Sequence, residues 1–554
     1  MSTDQSFATN SASVDTTFDL TSAVAVTAAT PKTAAVTVAY NAASQTYVVS
    51  AHGQSQSFGP GAVQSSSQTG ETRYQVASGP AKDLLTLVVA PYSGGTANTY
   101  VGLGYWQRAQ VSGSTQTNTV DIFTYGFNTP GAAVPRAGVG TFATDAFGLL
   151  TWPGQEPMVI SGAGTFDVDF KSGAFRSTAM IGEYALATWN YTIGGQLVLQ
   201  SGGTLGSDNS FGGNFSLTDL RGTIGGDIRG SFYGPAAQEF GASFSGSNAN
   251  GATLTGAMTG QRNPNAQPAS LVLANIVNDT PLTGHFMEFN TRSDSARTPA
   301  LLEAYGAFVI DSGKLTLRQD GTVTVHPVNS LFGEVVLNEA SRSSVQKPDF
   351  DSYDVMLAAT PTNPAAAVHV DLAKRGTGNS QITLTYADYG KWSQSSTTGT
   401  QTDVRSYFFT FGFETPQYML AARAGSATYS GIAQGVSTNA DGSLADVSGT
   451  SNFNVNFASQ TYSGALALTA QAPSGPVSLG TWTFADALVR GLFHQAVLVQ
   501  SGTAPVPGDI YNLIEPHFYG PDGQEIGAPF SILTGPRGAV GTVAIGGTAL
   551  AKQN

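Results

Sequence analysis

Short stretches in which apolar and polar residues alternate organise this chain, and such alternation is typical of β-strands with one buried face. Phe166, Val168 and Phe170 alternate with Asp167 and Asp169, which predicts the apolar side chains inside and the carboxylates outside. Similar strands follow at short intervals: Asp121–Phe127, Ala137–Phe142, Gly162–Phe170, Ala174–Ile181, Gln196–Gln200, Ser210–Leu217, Ile228–Phe232, Gly241–Phe244 and Ala252–Met258. The pattern predicts an all-β fold containing an up-and-down barrel of about eight strands.

The sequence contains an internal duplication that covers most of its length. Trp106 matches Trp392, and Phe232 matches Phe518 at the same separation. The motif Phe232-Tyr233-Gly234-Pro235, followed by Gln238-Glu239, returns as Phe518-Tyr519-Gly520-Pro521, followed by Gln524-Glu525. Each motif reads as strand, tight turn and strand, and each closes one half of the chain.

The duplication divides the chain into six predicted segments. Each half contains a β-rich subdomain, which we call a handle, followed by a barrel. The boundaries are a flexible leader at 1–18, a first handle at 19–118, a first barrel at 119–261, a linker at 262–280, a second handle at 281–403 and a second barrel at 404–554. The leader is assigned because its composition is rich in Ser, Thr and Asn.

Composition narrows the functional classes. Only 11% of the residues are charged, the formal net charge is −13, and no cluster of Lys and Arg is present. Nucleic-acid binding through a basic patch is therefore not expected. The chain has no cysteine, which excludes disulfides and thiolate metal sites. The sequence contains no apolar stretch of about 18 residues, so no transmembrane helix is predicted.

The closing motifs resemble those of the transferrin-binding protein B-like surface lipoproteins of Gram-negative bacteria and their solute-binding relatives. The resemblance extends to Val134–Phe142, to its partner Arg423–Gly431, and to Tyr105-Trp106. It implies two lobes, each a handle followed by an eight-stranded barrel. It also implies a nutrient ligand or carrier protein as partner, presentation to a TonB-dependent outer-membrane receptor, and membrane attachment only through an N-terminal lipidated cysteine. The sequence lacks that cysteine.

Candidate chemistry along the chain is sparse. Glu239 and Glu525 recur beside the closing turns, and we expect them to accept hydrogen bonds from backbone donors. The six histidines show no metal-ligand spacing, so neither a metal site nor a cofactor is predicted. No nucleophile motif is present, so an enzyme is not expected.

The two copies differ most between the matched pairs Arg136/Arg423 and Phe166/Phe453, where they have equal length. The first copy has an apolar segment with a tryptophan where the second has a polar turn. An exposed apolar loop marks a binding site, although packing against the neighbouring lobe or handle explains the segment equally well. The candidate ligand-binding residues are Leu149, Leu150, Trp152, Pro153 and Met158, with Tyr418 and Met419 in the second copy.

Together with what the resemblance implies, these observations predict a non-enzymatic protein, on the cell surface or secreted, that captures a nutrient and presents it to a TonB-dependent transporter. The nutrient is an iron or haem carrier or a small solute. The alternative is a structural or adhesive surface protein, for which strands rich in Ser, Thr and Gly and low in charge serve equally well. A discrete ligand favours the first function, and self-association favours the second.

Overall fold

The protein is built almost entirely from β-strands, and its computed structural model divides into two compact units, Met1–Ala269 and Ser270–Asn554. The structure describes residues 1–21, 25–32, 35–66, 68–186, 197–219, 221–298, 300–308, 313–326, 334–359, 365–439, 443–472, 475–489, 492–493, 495–503, 511–535 and 542–554. The all-β prediction is confirmed.

The first unit begins with an antiparallel sheet, which we call the first handle sheet. Its strand order is β5-β4-β3-β1-β10-β9-β8-β7-β6, with β2 paired to β1. A 3₁₀ turn, Pro60–Ala62, precedes β6. The strands are β1 (Gln5–Asp19), β2 (Ala25–Lys32), β3 (Thr37–Asn41), β4 (Thr46–Ala51), β5 (Gln54–Phe58), β6 (Val63–Gln64), β7 (Glu71–Ser78), β8 (Ala81–Val88), β9 (Val101–Ser112) and β10 (Thr115–Gly126).

After a 3₁₀ turn at Gly131–Ala133, the next eight strands form a closed barrel, which we call the first barrel. Sequential neighbours pair antiparallel, and β11 pairs β18 to close it. The strands are β11 (Val139–Thr151), β12 (Met158–Asp169), β13 (Ala174–Ala185), β14 (Leu197–Leu205), β15 (Ser210–Asp219), β16 (Gly222–Tyr233), β17 (Glu239–Ser247) and β18 (Thr253–Arg262). The predicted eight-stranded barrel is confirmed here.

Aromatic rings fill the first barrel. Phe166 is fully buried and stacks on Phe240 and Phe175, with ring centroids 4.4 and 5.1 Å apart. Glycine provides the space: a Cβ on Gly230 would lie 2.2 Å from Phe211. Small barrels of this strand number are packed with side chains rather than hollow, and this interior follows that rule.

The second unit repeats the plan, beginning with the second handle sheet. Its order is β23-β22-β21-β19-β27-β26-β25-β24, with β20 paired to β19. Short 3₁₀ turns occur at Glu339–Ser341 and Gly376–Gly378. The strands are β19 (Thr280–Asp294), β20 (Leu301–Phe308), β21 (Gly313–Leu317), β22 (Val323–His326), β23 (Val335–Leu337), β24 (Phe350–Leu357), β25 (Ala366–Ala373), β26 (Ala387–Thr398) and β27 (Gln401–Gly412).

The helix α1 (Gln417–Ala422) leads into the second barrel sheet, whose order is β32-β31-β30-β29-β28-β38-β37-β35-β33. Two further short strands, β34 and β36, pair with β31 and β37. Within the described ranges no hydrogen-bonded pair joins the two ends of this sheet. Its strands are β28 (Ser426–Thr438), β29 (Leu444–Asn456), β30 (Thr461–Ala472), β31 (Gly475–Val489), β32 (Leu492–Phe493), β33 (Ala496–Val497), β34 (Val499–Gln500), β35 (Leu513–Ile514), β36 (His517–Tyr519), β37 (Glu525–Leu533) and β38 (Ala544–Gln553).

The segment expected to be a flexible leader is a long strand instead. β1 pairs with β10 over twelve residues, from Ala8 opposite Gly126 to Asp19 opposite Thr115. Val14 and Phe18 are buried, and the buried hydroxyl of Ser13 hydrogen-bonds to Asp121. The leader prediction is wrong because partners on β10 satisfy the polar side chains that composition alone assigns to solvent.

The boundaries between handle and barrel also differ from the predicted ones. β10 and β27 belong to the handle sheets, although the predicted boundaries at 119 and 404 place most of their residues in the barrels. The polar residues around Gly113 form the turn of the β9–β10 hairpin, so the predicted boundary at 119 falls inside a handle strand. The barrels therefore begin at β11 and β28 rather than at 119 and 404.

A buried carboxylate joins handle to barrel inside each unit. Glu239, on β17, accepts backbone N–H bonds from Thr99, Tyr100 and Val101 at 2.7, 2.8 and 2.9 Å. Glu525, on β37, accepts the equivalent three bonds at 2.8, 2.9 and 2.9 Å. The predicted hydrogen bonds from these glutamates to backbone donors are confirmed. Among the described residues no helix is long and apolar enough to cross a membrane.

Candidate functional site: a cleft in the second unit

A cavity of about 210 Å³ lies where the second handle sheet meets the second barrel sheet. We call it the second-unit cleft. Strands β26 and β27 border it on the handle side, and β28, β29 and β38 border it on the barrel side. Its lining residues are Lys347, Phe350, Asp371, Gln381, Tyr389, Gly390, Lys391, Phe408, Gln434, Gly435, Val436, Asp446, Val447, Ser448, Gln471 and Thr548.

The cleft combines aromatic surface with a cation. Phe350 packs edge-on against Tyr389 with centroids 5.7 Å apart. The ammonium of Lys391 lies 5.7 Å from the centroid of the Phe408 ring. In the part of the chain that the structure describes, this ammonium makes no salt bridge. Burial, with a smaller effect of the nearby Lys347, lowers the pKa of Lys391 to about 8.

The acidic group at the rim is already compensated. Asp371 accepts hydrogen bonds from Lys347 Nζ at 2.7 Å and from Ser352 Oγ at 2.6 Å, and His369 Nε2 lies 3.1 Å away. Burial opposes ionisation of Asp371, but these partners outweigh it and hold the pKa of the carboxyl well below its usual range. Lys391 is therefore the cation of the cleft that makes no salt bridge, and the exposed carboxylate of Asp446 on the same lining acts favourably on its charge.

Hydrogen bonds fix the polar wall opposite Lys391. The Asn379 amide donates to the Tyr389 hydroxyl at 3.1 Å, and that hydroxyl donates to Gln434 Oε1 at 3.3 Å. Gln434 Nε2 donates in turn to Gln381. The polar groups are thus oriented before any ligand arrives, which reduces the entropy lost on binding.

The corresponding place in the first unit is filled. Tyr105 pairs with Ile122 across the β9–β10 hairpin as Lys391 pairs with Phe408, and the duplication matches Phe147 with Gln434. Tyr105 stacks on Phe147 at 5.1 Å between centroids, with the ring planes 19° apart. Together with their neighbours these rings form an apolar cluster: Val14, Val88, Leu103, Val120, Ile122, Phe147, Leu149, Val159 and Ala257, with Ala29, Tyr92, Tyr105 and Leu186 at its margin.

In the second copy, a cavity lined by both polar and apolar residues lies where the first copy has this apolar contact. Val159 corresponds to Asp446 and Ala257 to Thr548, besides the change of Tyr105 to Lys391. Loss of packing at a sheet–barrel contact costs stability. A cavity that interrupts this contact in one copy only, and that is lined by an unpaired cation, has the features of a binding site.

The candidate residues from the first copy lie in the protein interior rather than in an exposed loop. Leu149 joins the apolar cluster between handle and barrel, whereas Leu150, Trp152 and Met158 belong to the barrel core. Only Pro153 is exposed. The segment does pack against the handle of its own unit, as the alternative interpretation held.

The physical reason is strand length. β11 continues to Thr151 and β12 begins at Met158, which leaves only a short turn. Two backbone hydrogen bonds, each 2.8 Å long, link this turn to Val26 of β2. Gly154 N–H donates to Val26 C=O, and Val26 N–H donates to Gln155 C=O. The assumption of an exposed loop was therefore wrong. In the second copy Met419 is buried in α1, and Tyr418 lies on the same helix with its side chain outside the described part.

One serine, one histidine and one aspartate meet in the first unit. His52 Nε2 lies 2.9 Å from Asp121 Oδ1 and 3.3 Å from Ser13 Oγ, and Arg108 also binds Asp121 at 2.6 Å. A catalytic triad needs the carboxylate on Nδ1 and the nucleophile on Nε2. Here one nitrogen faces both groups, so the arrangement is a buried ion-pair network that ties β1 to β10.

Sequence reasoning missed Lys391. Its signal was present, because Lys391 directly precedes the matched Trp392 and aligns with Tyr105. Comparing the copies for a change from aromatic to cationic residue would have found it. What the sequence did not provide was the contact between β26 and β28, which brings Lys391 and Gln434 to one cavity.

No family model matches the chain, and no curated protein matches it. The architecture is of the class in which a β-sheet handle is followed by a β-barrel, twice in one chain. The chain is similar to solved structures of transferrin-binding protein B, the group that its closing motifs resemble. A double mutant from Haemophilus parasuis is 14% identical, with a TM-score of 0.27, and the match covers 82% of this chain and 83% of that one.

Two further structures have comparable values. Isotype 1 transferrin-binding protein B from Neisseria meningitidis is 16% identical, with a TM-score of 0.25, over 84% of this chain and 89% of that one. A structure described as a surface lipoprotein is 14% identical, with a TM-score of 0.25, and covers 46% of this chain and 98% of its own.

Proposed function

We propose that the protein is a cell-surface binding protein whose second unit captures a small organic anion as a nutrient. The observation that carries this proposal is the second-unit cleft with its unpaired Lys391, at the place that Tyr105 and Phe147 fill in the first unit. Presentation of the nutrient to a TonB-dependent transporter, and location on the cell surface, are parts of the proposal that rest on the resemblance of the closing motifs.

Size and chemistry define the ligand class. The cleft volume of 210 Å³ is smaller than the about 300–1,000 Å³ of pockets for drug-sized ligands. No protein could enter it, so we adopt the small-solute form of the sequence prediction over a carrier protein. Phe350, Tyr389 and Phe408 favour an apolar or aromatic body, and Lys391 favours a carboxylate or another acidic group.

Recognition of the anion depends on this one group. The chain has a formal net charge of −13, so it does not attract anions at long range. A desolvated ammonium without a partner is costly by itself, and an acidic ligand would supply the missing charge. The Lys391 ammonium should therefore determine affinity and its dependence on pH.

We expect binding to be strong at pH 7 and weak at pH 9. With a pKa of about 8 in the free protein, roughly nine-tenths of Lys391 is protonated at pH 7 and roughly one-tenth at pH 9. Because an anion binds the protonated form, affinity falls as the pH rises through 8, by about tenfold between these values. Native mass spectrometry after incubation with the low-mass fraction of the protein's own cells measures occupancy at each pH.

The matched variants are Lys391→Met and Lys314→Met, the latter an exposed lysine of the same unit. We expect Lys391→Met to lose the adduct at both pH values while melting no lower than the parent protein, because a desolvated charge has been removed. Lys314→Met should retain it. Equal occupancy in all three proteins would refute the role of Lys391, and a ladder of oligomers in place of an adduct would support the structural or adhesive alternative.

A further inference from the structure

Two histidines far apart in sequence meet in the second unit, outside the second-unit cleft. His285 lies on β19 of the handle sheet and His517 on β36 beside the barrel sheet. Their rings stack with centroids 3.3 Å apart and planes 13° apart. Glu414 and Glu515 flank the pair, and we call these four residues the histidine cluster.

The contacts place nitrogen and oxygen donors together. His285 Nε2 lies 2.6 Å from Glu414 Oε1, and His517 Nε2 lies 3.2 Å from Glu515 Oε1. Potential ligand atoms of His285, Glu515 and His517 all lie within 4.8 Å of one another. Within the described residues, His517 Nε2 is buried, and its 3.2 Å contact with Glu515 is not aligned as a hydrogen bond. A buried imidazole nitrogen without a hydrogen bond requires an explanation.

The first unit has no such donors at the equivalent positions. Asn10 faces Thr124 on β10 as His285 faces Thr410 on β27, and Asn128 bridges to Tyr233 as Glu414 bridges to Tyr519. By the duplication, Ser231 corresponds to His517 and Arg229 to Glu515.

The first-unit residues form ordinary hydrogen bonds. Asn10 donates to the Tyr233 hydroxyl at 3.1 Å, and Ser231 donates to Asn10 at 3.5 Å. The equivalent backbone of the first unit thus carries two amides, a hydroxyl and the Arg229 guanidinium in place of the two imidazoles and two carboxylates. All four residues of the histidine cluster, including two carboxylates, differ from the residues at the equivalent positions of the first unit.

We propose that the histidine cluster is a binding site for a transition-metal dication of the Zn²⁺ class. Imidazole nitrogen and carboxylate oxygen are the ligands that Zn²⁺ takes in proteins, whereas Ca²⁺ and Mg²⁺ prefer oxygen alone. His285, His517 and Glu515 supply three ligands. Glu414 either supplies the fourth or orients His285 by accepting its other N–H.

Binding changes the local geometry in a defined way. Four ligands about 2.1 Å from a tetrahedral metal lie about 3.4 Å from one another, so donor atoms that lie within 4.8 Å of one another must approach by up to about 1.4 Å. The two rings must also turn out of their parallel stack for both lone pairs to point at one ion. The ion would then join β19 of the handle sheet to β36, adding a second link beside Glu525.

The test is isothermal titration calorimetry of the metal-free full chain, with Zn²⁺ as the only ligand added. We expect one Zn²⁺ per chain, and a rise in the melting temperature of the second unit by about 5 °C at a hundredfold excess over the Kd. The variants His285→Asn and His517→Ser introduce the residues of the first unit. Each should weaken Zn²⁺ binding by at least about 100-fold and abolish the thermal shift.

His326→Ala, a histidine of the same unit outside the histidine cluster, is the control and should bind Zn²⁺ as the parent does. Absence of Zn²⁺ binding by the parent chain, or binding that both cluster variants retain, would overturn the site. If a variant does not fold, the parent chain loaded with Co²⁺ decides: visible d–d absorption of a tetrahedral complex supports the site, and the spectrum of hydrated Co²⁺ rejects it. This site and the anion-binding cleft are independent, since no residue is shared.

Discussion

Replacing Glu525 with alanine is expected to lower the free energy of unfolding of the second unit by about 3–5 kcal/mol. Its carboxylate is 1% exposed and accepts the backbone N–H groups of Thr385, Tyr386 and Ala387. Alanine leaves three donors unsatisfied where β26 begins, and it removes the charge that joins the barrel to the handle. Each unsatisfied buried donor costs about 1–3 kcal/mol.

Hydrogen–deuterium exchange of the full chain in urea, followed by mass spectrometry, measures each unit separately. Peptides of the second unit should lose protection in Glu525→Ala, and peptides of the first unit should not. The exposed Glu334→Ala is the control in the same unit. In Glu239→Ala, peptides of the first unit should lose protection and peptides of the second unit should not. Unchanged protection of β26 in Glu525→Ala would contradict the proposed link.

Replacing Phe166 with alanine is expected to destabilise the first unit by about 3–5 kcal/mol. The ring is fully buried in the first barrel. Besides Phe240 and Phe175, it contacts Phe142, Phe211 and Phe232 at centroid distances of 5.9, 5.1 and 6.5 Å. Paired strands surround these rings on all sides, so the barrel cannot collapse into the cavity.

The control for this substitution is Met180→Ala, on β13 of the same barrel, because Met180 is 44% exposed and faces outward. It should cost less than about 1 kcal/mol. The same exchange experiment reports both variants. Equal protection of the β11–β18 peptides in Phe166→Ala and the parent would show that the ring cluster does not hold the barrel together.

Local pattern was sufficient to predict the first barrel because strand alternation there reflects burial directly. Phe166, Val168 and Phe170 all point to the core, as their spacing indicates. The carboxylates between them are less simple. Asp167 and Asp169 point outward but are buried, and they hydrogen-bond to Thr141 and to the backbone of Lys171 and Ser172. Alternation predicts on which face of a strand a side chain lies, but not whether another part of the chain covers that face.

Long-range pairing explains the errors. β1 has a composition typical of disordered segments, yet it is the strand between β10 and β3. Local pattern predicts an exposed segment at Leu149, but handle residues distant in the chain, Val88 and Leu103, cover it. Local spacing predicts no metal site among the histidines, although His285 and His517 meet through two different sheets.

Duplication makes the functional argument possible. The first unit shows what the fold contains when the contact between handle and barrel is filled by Tyr105 and Phe147. The second unit departs from it at Lys391 and Gln434, where the cavity lies. Since both units keep the same buried glutamate, the difference is local and is not a general loosening of the second copy.

The most direct test of the central claim is to fill the second-unit cleft with the residues of the first unit. The double variant Lys391→Tyr with Gln434→Phe should fold, melt at or above the temperature of the parent, and carry no anionic adduct in native mass spectrometry. The parent chain, loaded from the same low-mass cell fraction, should carry one adduct per chain. An adduct of the same mass and occupancy in the filled variant would contradict binding in the cleft.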